Sequence, residues 1–274
     1  MMGIDEKLDR SLKRHGYHSP VFLGEGSFSS AYRVTDEAGR FWVCKVSAKE
    51  EEKRWQQECG NWQEIRHPLF PGYREHWTDG EKGYLIIEFW EGMDLREMLE
   101  RRRRLTPGQA AEILSQIAEG LQYLHERPHP FLYRDLKPEN IRIRSNGRVG
   151  ILDLGCLWNR EQSWSGAGNY AYSAPEQFRP GEIPGEESDV YALGKLLAAM
   201  LGEERGGRLH GRDRRRQKWL RRLVVMATCE EREGRIPDCK TLRELLAVMD
   251  ASHRMRKQAL KRADFCYIRK LYYP

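Results

Sequence analysis

Long apolar runs are missing from this chain. No stretch approaches the roughly 18 residues that a membrane-spanning helix needs, and the N-terminus has no signal-peptide core. The expectation is a cytoplasmic chain without a transmembrane segment. Paired cysteines are missing too: six stand singly at positions 44, 59, 156, 229, 239 and 266, with no CxxC pair and no histidine cluster at zinc spacing. Reduced thiols are the simple reading. No internal repeat is visible, which argues against a solenoid or propeller. A strong excess of one charge is also absent. The net charge of +6 comes from 47 Lys and Arg interspersed with 41 Asp and Glu, so nucleic acid is not expected as a partner. What is there is 274 residues, 39% hydrophobic and 32% charged, enough for one large domain or two joined lobes with a sizeable core.

Two halves differ in character. From Tyr17 to about Trp90 the signals are mostly strands, among them Phe41–Val46 and Tyr84–Phe89, short runs rich in β-branched and aromatic residues. Between them Lys49 to Ile65 is charged and reads as a helix, and residues 1–16 read as a polar lead-in or a short helix. After Gly92 helices take over. Thr106, Pro107 and Gln109 combine a capping residue, a first-turn proline and a capping-box glutamine. Ala110, Ile113, Leu114, Ile117, Leu121 and Leu124 follow at helical spacing. Ile141 and Ile143, then Asn146-Gly147, then Val149 and Ile151 predict a hairpin, and further helices are expected at 188–201, 216–229 and 240–250. The organisation expected is a lead-in over 1–16, a β-rich lobe over 17–90, a helical lobe over 91–250 and a basic, aromatic tail over 251–274. A joint between unequal lobes is a natural place for a ligand cleft.

Three constellations carry chemistry. Gly24 and Gly26, in a strand–turn–strand, suit a close approach of backbone N–H groups to phosphates, although a glycine pair in a hairpin is as readily structural. Lys45, inside an apolar strand, either snorkels to the surface or points into a cleft to hold an anion. The third stretch decides. Tyr133-Arg134-Asp135-Leu136-Lys137-Pro138-Glu139-Asn140 sets a base, a cation and an amide oxygen on one segment, and Asp153-Leu154-Gly155 adds a second carboxylate after the hairpin. Together they supply a hydroxyl-orienting base, two oxygen ligands for Mg²⁺ and charge neutralisation, which is what phosphoryl transfer requires.

With these motifs in this order, the chain resembles the eukaryotic-type (Hanks-type) protein kinases of the serine/threonine class, over nearly everything from Tyr17 to Met249. The resemblance implies an α+β bilobal fold, with a small β-rich lobe carrying one main helix and a larger, mostly helical lobe. It implies ATP and Mg²⁺ (with Mn²⁺ as a substitute) and a protein substrate, with autophosphorylation. By likeness, Gly24 and Gly26 cover the phosphates, and Ala31 and Val43 line the adenine. Lys45 pairs with a helix glutamate: Glu58, nine residues before His67-Pro68, or as second choice Glu64. Ile87 guards the back of the pocket, Glu88 to Trp90 form the adenine-binding hinge and Asp94 meets the ribose. Asp135 is the catalytic base, Lys137 its neighbouring cation, and Asn140 and Asp153 hold the metal. Glu176 of Ala174-Pro175-Glu176 pairs with Arg235 in a buried salt bridge, and Asp189 props the catalytic loop. The Lys137-Pro138-Glu139 loop with a trimmed helical lobe is similar to compact bacterial members, and a monomer is expected.

Departures from the family pattern are Ser29 for the third glycine, Ala31 for valine, Tyr133 for histidine and Leu154 for phenylalanine. Tyr133, Leu154 and Trp62 still suit a packing stack. Arg142 stands beneath the adenine where an apolar residue is usual, and Asn169 where a threonine contacts Asp135 and Lys137. These two leave an alternative open: a pseudokinase that holds nucleotide or a partner without turnover. A small-molecule kinase is disfavoured by Lys137-Pro138 and the Ala-Pro-Glu closure. In the short segment from Asp153 to Glu176, Ser163 and Ser165 are the regulatory candidates, since a phosphate there suits a bridge to Arg134. Arg101–Arg104 and Arg212–Arg216 read either as solvated helix ends or as recruiters of an acidic substrate. The tail reads as packing back onto the lobe, meeting phospholipid or binding a partner.

Overall fold

A computed structural model describes residues 6–26, 28–102, 105–162, 169–202, 211–251 and 255. The chain divides into two compact units, Met1–Glu91 and Gly92–Pro274.

In the first unit, helix α1 (Glu6–Arg14) leads into strands β1 (Tyr17–Glu25), β2 (Ser29–Asp36) and β3 (Phe41–Ala48). After a 3₁₀ turn come helix α2 (Glu52–Glu64) and strands β4 (Tyr73–Thr78) and β5 (Lys82–Glu88). The strands form one antiparallel sheet in the order β1-β2-β3-β5-β4. Strand period 2 separates its faces. Cys44 and Val46 on β3 and Tyr84 and Ile86 on β5 turn to one side, where they bury Leu8 and Leu12 of α1 together with Tyr17 and Val34. Trp77 stacks between the His15 ring and the Tyr84 ring, at 3.9 and 5.1 Å between centroids. Lys45 faces the other way, level with Ala31 and Leu85, on the side where α2 packs. Trp55 of α2 lies flat on Gly83, where a Cβ would stand 2.5 Å from the indole. Only glycine lets the helix come that close. The sheet is thus covered on both faces, by α1 and by α2.

The second unit opens with a two-residue strand β6 (Met93–Asp94), helix α3 (Leu95–Arg102) and helix α4 (Pro107–His125). The hairpin of β7 (Ile141–Ile143) and β8 (Val149–Ile151) follows, and β6 joins it to make a three-stranded sheet. Gly92 enters β6 at φ +149°, with the Ile143 carbonyl where a Cβ would be, so no other residue fits. Helices α5 (Glu186–Leu201), α6 (Gly211–Ala227) and α7 (Cys239–Ala247) complete the unit, and all three pack on α4. The stripe Ala110, Ile113, Leu114, Ile117, Leu121 and Leu124 is buried among them. At the head of α4, the Thr106 hydroxyl accepts from the Gln109 amide at 3.3 Å and the Gln109 side chain accepts from the Thr106 amide at 3.1 Å. No described helix is long and apolar enough to cross a membrane.

Candidate active site

The first unit supplies an ion pair inside a patterned face. Antiparallel partners share a face, so the register sets Gly24, Ala31 and Lys45 in one row and Val43 and Ile87 in the next. Lys45 Nζ is paired with Glu58 Oε1, with the two side chains 13% and 12% exposed, and Trp62 Nε1 donates to the same carboxylate at 3.3 Å. Of the two glutamates considered, Glu58 is therefore the partner. At the turn that follows β1, the Gly26 amide donates to the Ser29 carbonyl at 2.8 Å. At the end of β5, Glu88 exchanges two bonds with Gly72: its amide donates to the Gly72 carbonyl at 2.8 Å and its carboxylate accepts from the Gly72 amide at 3.2 Å. Trp90 is buried.

The second unit carries a knot of three side chains on one loop. Lys137 Nζ meets Asp135 Oδ2 at 2.6 Å, and Asn140 Nδ2 donates to the Asp135 carbonyl at 2.9 Å and to its carboxylate at 3.3 Å. A 3₁₀ turn over Pro138–Asn140 makes this closure, and the Leu152 amide bonded to the Asn140 carbonyl at 2.9 Å sets Asp153 next to the same loop. Asp153 Oδ1 accepts from the Gly155 amide at 2.9 Å. Burial pushes the Asp135 carboxyl above its ordinary value; the bond from Lys137 pulls the other way, and the charge of Asp153 pushes it up again. Burial opposes the Lys137 ammonium, but Asp135 and then Asp153 raise its pKa above the usual lysine value.

Beneath the loop, Asp189 of α5 is fully buried and accepts three hydrogen bonds: from the Tyr133 amide at 2.8 Å, the Arg134 amide at 2.9 Å and His125 Nε2 at 2.9 Å. These hold Arg134 in the left-handed region at φ +67°, a conformation that a non-glycine residue keeps only when its surroundings over-determine it. Ser173 and Gln177 add to the restraint by donating to the Arg134 carbonyl at 3.3 and 3.2 Å. The Arg134 side chain turns inward, its Nε donating to the Cys156 carbonyl at 2.7 Å. Glu176 and Arg235, both 1% exposed, form a two-point ion pair at 2.5 and 3.2 Å, and the Ser188 hydroxyl donates to the same carboxylate at 2.6 Å.

Three residues make bonds that sequence reasoning did not foresee, although Arg142 keeps the strand face expected of it. Asp94 Oδ1 accepts from the Glu97 amide at 2.7 Å, so it caps α3. Asn169 folds its side chain onto its own turn, accepting from the Ala171 amide at 2.9 Å, and bonds neither Asp135 nor Lys137. Arg142 lies on the face of β7 opposite Ile141 and Ile143, and its Nη1 donates to the Gly92 carbonyl at 3.0 Å. Ser163 and Ser165 lie outside the described residues, as does almost all of the tail. His125, Ser173 and Gln177 were not foreseen. For His125 a signal existed: four residues after Leu121, it continues the buried stripe of α4, where a polar ring needs a partner.

Comparison with known proteins points to one family. The model of the protein kinase domain matches residues 17–266. The chain is similar to the cell cycle serine/threonine-protein kinase CDC5/MSD2 of Saccharomyces cerevisiae, at 32% identity over 197 residues, covering 68% of this chain and 28% of that protein. It is similar at 28% identity to the probable serine/threonine-protein kinase PknB of Lactococcus lactis, covering 65% of this chain and 30% of the other. An Aurora kinase of Eremothecium gossypii is 30% identical over 205 residues, which cover 70% of this chain and 54% of that protein. The chain spans between about a quarter and about half of these relatives' own lengths. A sheet unit with an ion-paired lysine, a helical unit with a knotted Asp-Lys-Asn loop and a family match over most of the length lead to one conclusion: the chain belongs to the protein kinase domain family.

Proposed function

We propose that this chain transfers the γ-phosphoryl group of ATP to serine and threonine hydroxyls of proteins, itself included, as a monomer in the cytoplasm. The observation that carries the reading is the Asp135–Lys137–Asn140 knot, with bonds of 2.6 and 2.9 Å. In it a carboxylate of raised proton affinity stands beside a cation that stays charged. Asp135 orients the acceptor hydroxyl and takes its proton, for which a pKa moved toward neutrality is better suited. Lys137 offsets charge on the transferring group. Lys45, held by Glu58, takes the α- and β-phosphates, and Gly24 and Gly26 let the backbone close over them. Ala31, Val43 and Ile87 share one sheet face that suits adenine, with the Glu88–Trp90 backbone as the hinge. By family likeness Arg142 offers the nucleotide its aliphatic stem, and Asp94 keeps its second carboxylate oxygen for the ribose.

The donor set fits a hard divalent cation. Asn140 commits its Nδ2 to Asp135, which orients its amide oxygen as an acceptor, and Asp153 adds a carboxylate. Bound there, Mg²⁺ (or Mn²⁺) neutralises phosphate oxygens. Glu176–Arg235 and Asp189 serve as structural supports, and Ser163 or Ser165 as sites where a phosphate orders the segment. The test is phosphate incorporation into a basic model protein from Mg-ATP: the wild-type chain labels it, and Asp153→Ala does not. Equal labelling by Asp153→Ala, or nucleotide binding by the wild-type chain without transfer, contradicts the reading.

A further inference from the structure

The turn that joins β1 to β2 is fastened from two sides, by residues that the proposed chemistry does not use. Its backbone is held by Ser47, a buried residue of β3 whose hydroxyl donates to the Phe28 carbonyl at 3.1 Å. Its side chain is held by α2: the Arg54 guanidinium carbon lies over the Phe28 ring, 3.9 Å from the centroid. Arg54 is steadied in turn by Glu51, whose Oε2 its Nη1 meets at 3.4 Å. All of these residues belong to the first unit. Phe28 is 45% exposed and sits on a turn outside the core, so burial does not fix its ring. A guanidinium over the ring face does, because it is planar and more weakly hydrated than an ammonium.

The helix makes this contact consequential. Arg54 and Glu58 stand four residues apart and so project from one face of α2. Glu58 holds Lys45 of β3, and Arg54 holds Phe28 on the turn. Ser47, two residues after Lys45, shares its face of the strand and closes the link to the same turn. One helix face and one strand face thus grip the lysine and the glycine turn together.

We propose that Arg54 is a positioning residue: through Phe28 it holds the turn that carries Gly24 and Gly26 where its backbone closes over the phosphates of a nucleotide. The inference rests on the reading of that turn as the phosphate cover. Glycine gives up more conformational freedom than any other residue when it is ordered, so a turn rich in glycine is costly to fix at the moment of binding. A ring and a carbonyl anchored beforehand leave less of that cost to the ligand.

Two measurements test it, and neither uses turnover. One is amide hydrogen exchange of residues 24–30 in the nucleotide-free chain; the other is the affinity for a non-hydrolysable ATP analogue with Mg²⁺, by isothermal titration calorimetry. Arg54→Ala is expected to speed the exchange and to weaken the analogue about two- to fivefold, the range of an exposed cation–π contact. Phe28→Leu, which keeps an apolar side chain without a ring, is expected to do the same, and the double variant to be no weaker than either single one. Arg54→Lys and Phe28→Tyr keep a cation and a ring, and retain most of the affinity. Unchanged affinity in Arg54→Ala, with or without faster exchange, would overturn the proposal. So would weaker binding without faster exchange, because Arg54 would then act on the nucleotide and not on the turn. Additive losses in the double variant would overturn it as well, as would an equal loss in Lys53→Ala, which removes an exposed cation from the same helix. A wild-type chain that binds the analogue but transfers no phosphate would sink the catalytic reading alone, and one that binds no nucleotide would overturn both. Matching thermal transitions would establish that each variant is folded.

Discussion

At the scale of single residues, the most consequential pair after the loop itself is Glu176 with Arg235. Arg235 spreads its guanidinium over the Glu176 carboxylate and the carbonyls of Cys229, Glu187 and Glu230, so each of its nitrogens has an acceptor. Burial works to raise the Glu176 pKa, but the bonds from Arg235 and Ser188 outweigh it and hold the carboxyl below the usual glutamate range. The folded state therefore binds that proton less readily than the unfolded chain does. The pair's contribution is complete above the ordinary glutamate value of about 4.3 and is lost as pH falls through the lower folded value. Glu176→Gln strands a buried guanidinium, and we expect a loss of roughly 3–5 kcal/mol at neutral pH, seen in the denaturant midpoint. The variant should also lose the corresponding part of the acid-induced decline. A midpoint at neutral pH equal to that of the wild type would show that the pair does not stabilise this unit. His125 follows the opposite sign: burial opposes its charge, but Asp189 raises its pKa well above the usual histidine value. Its support for the loop is present at low pH and fades as pH rises through that value.

At the scale of elements, the caps and the packing faces explain why each helix begins where it does. The Thr106–Gln109 box and Pro107 start α4 at a sharp boundary, and Asp238 accepts from the Thr241 amide at 2.7 Å to start α7. Thr106→Ala is expected to cost about 0.5–2 kcal/mol, with Thr106→Ser keeping most of the stability. Equilibrium unfolding in urea measures both, and an Ala midpoint equal to the wild type would mean that the box is idle. Elements with local signals were readable from the sequence. The α4 stripe and cap, the Asn-Gly hairpin and the apolar β3 and β5 strands each announce themselves within a dozen residues. Others were not, because their partners are remote. The seat of α1 on the sheet rests on Leu8 and Leu12 meeting Val34, Cys44 and Tyr84, and two leucines in a polar stretch do not say where they dock. Helix α6 begins at Gly211, five residues before the predicted start, since an arginine run reads as loop until Asp250 engages two of its members.

At the scale of the whole molecule, each unit carries its own part of the motif series, the ion-paired lysine in one and the Asp-Lys-Asn loop in the other. The Asp135–Asn140 loop was readable because its three side chains lie within six residues, so local geometry forces them together. The Lys45–Glu58 pair was readable only through family likeness, because the residues lie thirteen positions apart on a strand and a helix. What stayed hidden was competition for polar groups: Asn169 closing its own turn, Asp94 capping α3 and Arg142 reaching the Gly92 carbonyl. Two of these bonds close local turns and the third joins neighbouring strands from residues fifty positions apart, and nothing in the spacing of residues reveals them. The central claim, that Asp135 accepts the proton of an acceptor hydroxyl, is tested most directly by the single-turnover rate of phosphoryl transfer at saturating Mg-ATP in Asp135→Asn. The predicted result is a fall of about 10²–10⁴ with nucleotide affinity unchanged. Transfer at the wild-type rate by Asp135→Asn would contradict it.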